Sequence, residues 1–152
     1  MKILAITTFA LFALNSYAQV DPIGKNGVAI GGYDVVAYHT SQKPVKGSES
    51  ISAQYAGVRY YFSTSDNREL FNENPKRYLP QFDGYCALAV SYGKKISIDP
   101  ETFKVKDEKL YLFFHGRTST GKVNSIDTWN KNEARLLNKA NTNWPDVMKK
   151  KY

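Results

Sequence analysis

Residues 50–63, SISAQYAGVRYYFS, constrain the fold more than any other stretch. Ile51, Ala53 and Tyr55 alternate with polar residues, Ala56-Gly57 follows, and Val58, Tyr60 and Phe62 resume the alternation. A period of two places these six side chains on one face, and a two-residue loop containing glycine reverses the chain, so the stretch is predicted to be a β-hairpin with one apolar side. A two-stranded ribbon is barely stable alone and must be covered. The next residues supply the cover. Ser65 or Asp66 can cap a helix through Leu70 and Phe71, and Asn74-Pro75 restarts a short helix by placing proline in its first turn. Leu70, Phe71, Tyr78 and Leu79 are predicted to pack on the hairpin.

The same patterns recur further along. In FKVKDEKLYLFF, Phe103 and Val105 alternate on one strand and Leu110, Leu112 and Phe114 on the next, joined around Asp107-Glu108, which predicts a second hairpin. Between the two, Asp83 can cap a helix over residues 84–92 that Gly93 ends, with apolar residues on two adjacent faces. Val28 to Tyr38 is apolar and β-branched around Gly31-Gly32, which reads as extended chain with a bend. Ile126, Trp129, Leu136, Leu137 and Ala140 recur at helical spacing, and a C-terminal helix is predicted to stop at Asn143-Trp144-Pro145. The expectation is one small α+β domain, two β-hairpins packed against short helices and a C-terminal helix.

Lys2, an apolar stretch from Ile3 to Leu14 and then Ser16-Tyr17-Ala18 have the order of a secretory signal peptide over residues 1–18. The apolar part is shorter than the ~20 residues a spanning helix needs. The expectation is therefore a secreted or periplasmic protein beginning near Gln19, with no transmembrane segment after signal removal and residues 19–152 as its one domain. Loss of Lys2 lowers the formal charge of +7 by one. The basic residues are scattered apart from Lys149-Lys150-Lys151, so no nucleic-acid partner is expected. Cys86 is the only cysteine, which excludes an internal disulfide.

The run YAGVRYYFSTSDNRELFNENPKRYLP, residues 55–80, resembles the YHS domain, and GGYDVVAY, KPVKGS, GYCALAVS, KLYLFF and NTNWP together resemble an exported bacterial group of YHS-domain proteins, some carrying selenocysteine in place of a cysteine. YHS and related zinc-finger-like domains place two cysteines on the aromatic strand and the following helix, four residues apart, where thiolates bind a soft metal. Here the matching positions are Ser63 and Asn67, a departure that removes the thiolate pair on which the family's heavy-metal role rests. The triplet Tyr38-His39-Thr40 precedes the matched run and receives no role.

Three sets of residues carry candidate chemistry. Cys86, in the first turn of the helix that Asp83 would cap, is either a thiol made acidic by the helix dipole, giving a redox role that the selenocysteine resemblance favours, or a small buried apolar side chain. His39, His115 and Cys86 could together form a three-ligand copper or zinc site if the fold gathers them. The many tyrosines exceed the needs of a core this small, and Tyr33, Asp34, Tyr38 and Tyr85 are the candidates for a pocket that binds a small ligand. Asp34 alone reads as a turn or hydrogen-bonding residue. Gly24 and Gly31-Gly32 lack the strand and helix of a nucleotide loop, and no carboxylate pair or serine triad is in view. The sequence reads as a binding module for a metal ion or small ligand, with a thiol-dependent redox protein as the alternative.

Overall fold

The computed structural model describes residues 20–151, so the predicted signal peptide lies outside the described residues. Strands β1 (Ser48–Tyr55) and β2 (Val58–Phe62) form the first predicted hairpin, paired Tyr55 with Val58 and Ala53 with Tyr60. The loop residues Ala56 and Gly57 have φ of 49° and 80°, the left-handed backbone that lets a two-residue turn follow the strands' twist. Tyr60 and Phe62 are buried, and the ring of Phe71 lies 4.8 Å from one and 5.1 Å from the other.

Phe71 comes from helix α2 (Ser65–Glu73), and α3 (Pro75–Tyr78) follows with proline in its first turn as predicted. The cap of α2 is Thr64, one residue earlier than expected. Its hydroxyl accepts the Asn67 amide at 3.1 Å. Leu70 is 37% exposed, so it is Phe71 that joins the helix to the hairpin.

Strands β3 (Asp99–Lys106) and β4 (Lys109–Phe113) form the second hairpin, with Asp107 and Glu108 both left-handed in its turn. Strand β4 organises the core. Leu110 and Leu112 face one apolar cluster with Tyr38, Phe62 and Phe71, whereas Tyr111 and Phe113 face another with Trp129, Leu136, Ala140 and Val147. Burial on both sides explains why Tyr111 and Phe113, which lie between the alternating Leu110, Leu112 and Phe114, are apolar as well.

The second layer comes from α4 (Ala87–Ser91), α5 (Ser125–Lys131) and α6 (Glu133–Val147). Helix α6 continues through Pro145, contrary to the predicted stop. Proline there lies within the last turn and removes one intrahelical bond, while Val147 beyond it is 1% exposed and keeps the turn packed. A third hairpin, β5 (His115–Thr118) with β6 (Gly121–Asn124), was not predicted because its exposed polar residues carry no apolar alternation.

Two further expectations change. The chain from Val28 onward bends at Gly31 and Gly32, both left-handed, but Tyr38 and His39 then lie in the one-turn helix α1 (Ala37–Thr40) instead of a strand. Asp83 does not cap α4. It belongs to a 3-10 segment, Gln81–Gly84, and Cys86 occupies the N-cap position with no side-chain cap bond. Among the described residues no helix is long and apolar enough to cross a membrane.

Candidate functional site

Two places gather the polar residues of the first layer, and both are built on β2 and the turns around it. At the first, Asp34 is wholly buried between α1 and the end of β2. One carboxylate oxygen accepts the amides of Val36 at 2.9 Å and Ala37 at 3.2 Å, which holds the start of α1. The other accepts the Ser63 amide at 2.8 Å, the Ser63 hydroxyl at 2.6 Å and Asn67 Nδ2 at 2.7 Å. These donors replace the water that a carboxylate loses on burial, and they tie the N-terminal segment to the hairpin and α2.

The second place is a cleft of about 320 Å³ between the first hairpin, the N-terminal segment and the 3-10 turn before α4. Tyr55, Tyr60 and Tyr85 contribute aromatic surface, and Pro22, Ile30, Val58, Leu79 and Pro80 contribute aliphatic surface. Its charged residues are Asp83 and Lys95. Burial, with the charge of Asp83 and the neighbouring Tyr55, pushes the Tyr60 hydroxyl up to about 12, so it is a neutral donor at physiological pH.

The walls of this cleft hold unusual backbone. Ile30, Ala56 and Asp83 all have positive φ, at 49°, 49° and 50°, and Phe82 beside Asp83 is at 56°. For a β-branched residue such as Ile30 this region is disfavoured, and strain of this kind persists only where surrounding structure enforces it. Gly84, at φ +82°, packs closely here: a Cβ on it would lie 2.9 Å from Ile30 Cδ1 and 3.1 Å from Pro22 Cβ, two residues that line the cleft.

Of the four predicted pocket residues, only Tyr85 lines this cleft. Tyr38 is fully buried and donates its hydroxyl to the Pro100 carbonyl at 2.7 Å, and Asp34 is enclosed as described. Tyr33 lies on another side, donating to Glu101 at 3.1 Å with Lys46 Nζ 4.2 Å above its ring. Burial, then the bond to Glu101 and the charges of Glu101 and Asp99, pushes the Tyr33 hydroxyl to about 12.

The proposed metal ligands are held in separate surroundings. The His39 ring meets Tyr78 edge-on at 5.4 Å, and burial together with the Arg77 charge lowers its pKa, opposed by Glu108. His115 Nδ1 lies 3.7 Å from Asp99. Cys86 is 1% exposed, and its Sγ accepts the Phe114 amide at 3.3 Å. Among the described residues no group of three or more His, Cys, Asp or Glu is placed to hold a metal ion. Cys86 also lines a second cavity, of about 330 Å³ and chiefly apolar, with Leu88, Tyr92, Ile96, Phe114 and Val123.

Residues 36–82 match the family model of the YHS domain. The chain carries a YHS domain. The match begins at Val36 and so takes in Tyr38-His39-Thr40, which lies before the resemblance over residues 55–80, and it ends at Phe82 before α4 and the second hairpin. Comparison with curated proteins and with solved structures found no match. YHS domains are associated with metal binding. In this YHS domain Ser63 and Asn67 direct a hydroxyl hydrogen and an amide group at Asp34, and neither is a thiolate. A soft transition metal does not fit this donor set. Sequence reasoning missed Asp83 and Lys95 as parts of a site, although Asp83-Gly84 is a turn-forming pair that could have marked a bend there.

Proposed function

We propose that the chain is an exported, non-enzymatic binding module whose YHS domain and N-terminal segment together hold a small organic ligand. The observation that carries this reading is the tyrosine-walled cleft, shaped in part by the left-handed residues Ile30, Ala56 and Asp83. Concave, largely apolar surface with a few polar groups is the usual form of a small-molecule site. A small ligand is favoured over copper or zinc because Ser63 and Asn67 are engaged by Asp34. Export rests on Lys2, the apolar residues that follow it and Ser16-Tyr17-Ala18.

Native mass spectrometry of protein purified from its own cells tests the reading. The expected spectrum is a chain beginning near Gln19 that retains an organic adduct. Stoichiometric copper or zinc with no organic mass would overturn it.

A thiol-dependent redox role for Cys86 is the second reading, favoured by the apolar cavity that the sulfur lines. Against it, the thiol is almost wholly covered and accepts a backbone amide. Alkylation of the folded protein separates the two. Slow labelling, well below that of free cysteine, is the outcome expected of the binding module, and rapid labelling at Cys86 would favour the redox protein.

A further inference from the structure

The tyrosine cleft contains two charged side chains, and the protein uses only one of them. Lys95 donates from Nζ to the carbonyls of Met148 at 2.9 Å and Lys150 at 2.7 Å, and the same ammonium lies 5.2 Å from the centre of the Tyr85 ring. Asp83 is exposed, and among the described residues its carboxylate makes no ion pair. It is held in place by its backbone, between Phe82 and Gly84 in three successive left-handed conformations. The cleft thus presents a fixed, uncommitted negative charge beside Tyr60 and Tyr55, whose rings are themselves positioned against Phe71.

We propose that the cleft takes a small organic cation, an alkylammonium whose charge lies between Asp83 and the tyrosine rings and whose alkyl part lies on Ile30, Val58 and Leu79. The inference rests on the small-ligand reading above and names its ligand class. Aromatic faces attract ammonium groups through the negative charge of the ring face, and the attraction grows when water is excluded. The protein's own ammonium, Lys95, already faces Tyr85 in this way. An anionic ligand would instead meet the Asp83 charge, with Lys95 already engaged by two carbonyls. Tyr60, neutral at physiological pH, adds a hydroxyl rather than a second negative charge.

Calorimetry with choline and with 3,3-dimethylbutan-1-ol, its neutral counterpart of the same shape, tests the proposal. Choline is expected to bind at least tenfold more tightly, and Asp83→Asn to remove that difference. Asparagine suits this substitution because it tolerates left-handed backbone. An unchanged circular dichroism spectrum and melting temperature for the variant would confirm that the fold is kept, and Tyr55→Leu, which removes aromatic surface and leaves Asp83 in place, is expected to weaken choline as well. Equal affinity for the two probes, no binding of choline, or choline binding indifferent to Asp83→Asn would overturn the cation proposal. The parent reading falls separately, if native mass spectrometry finds a metal and no organic molecule.

Discussion

The Asp34 knot, just beyond the end of β2, and the tyrosine cleft, beside the turn of the same hairpin, each contain one aspartate. Around Asp34, both oxygens are occupied by donors from three segments, and no surface is left for a ligand. Around Asp83, the carboxylate is exposed and among the described residues forms no ion pair. A carboxylate in water makes its hydrogen bonds with solvent, whereas a buried one must find every partner within the protein. The difference teaches that being an unusual residue is a poor guide to binding. What matters is whether its polar groups are still available once the chain has folded.

Removing the buried carboxylate should have the largest effect. Asp34→Ala leaves two amides of α1, the Ser63 amide and hydroxyl and Asn67 Nδ2 without their acceptor, and roughly 3 kcal/mol of stability is expected to be lost. The shift of the urea midpoint measures it. A loss under about 1 kcal/mol would mean that water replaces the carboxylate easily and that the knot is not the closed structure described.

Crowding two residues of the cleft wall should have an intermediate effect on stability and a further one on binding. Gly84→Ala combines a left-handed backbone with a contact of 2.9 Å to Ile30, at an expected cost of about 1–2 kcal/mol. The protein is expected to stay folded with weakened ligand retention, read by melting temperature and native mass together. Full retention of ligand would show that Ile30 and Pro22, the lining residues that Gly84 touches, do not shape the binding surface.

The smallest effect concerns pH and sharpens the boundary of the knot's layer, where α1 meets Tyr78. Burial and Arg77 lower the pKa of His39, partly offset by Glu108, and its Nε2 has no hydrogen-bond partner among the described residues. A group held neutral on folding contributes stability that is fully present above its unfolded pKa of about 6.5 and is lost as pH falls through the lower folded value. The melting temperature should therefore drop between pH 7 and pH 5. His39→Phe keeps the ring against Tyr78 but cannot titrate, so part of that drop should vanish; an identical pH profile would show that other groups control it.

Much of the fold was legible because its signals are local. Alternation around Ala56-Gly57 needs only neighbouring residues to specify the first hairpin, and Asn74-Pro75 likewise marks the start of α3. The predictions failed where packing overrode local preference. Pro145 stays helical because Val147 beyond it is buried, and Asp83 turns away from α4 because Gly84 is wedged between Ile30 and Pro22. The polar third hairpin had no periodic signal to read. The candidate site was less legible still. Tyr85 lines the cleft as expected, but Tyr33 and Tyr38 satisfy their hydroxyls elsewhere, and among the described residues His39, His115 and Cys86 are not gathered into one metal-holding group.

By itself the sequence determined the α+β class, the two apolar hairpins and the YHS segment, because periodicity, turn chemistry and caps act over a few residues. Tertiary structure alone decided which aspartate is enclosed and which is exposed. That outcome depends on donors and walls brought together from Val36, Ser63 and Asn67 in one place, and from Ile30, Tyr60 and Tyr85 in the other. Whether those residues meet is set by packing across distant parts of the chain, and no local pattern encodes it.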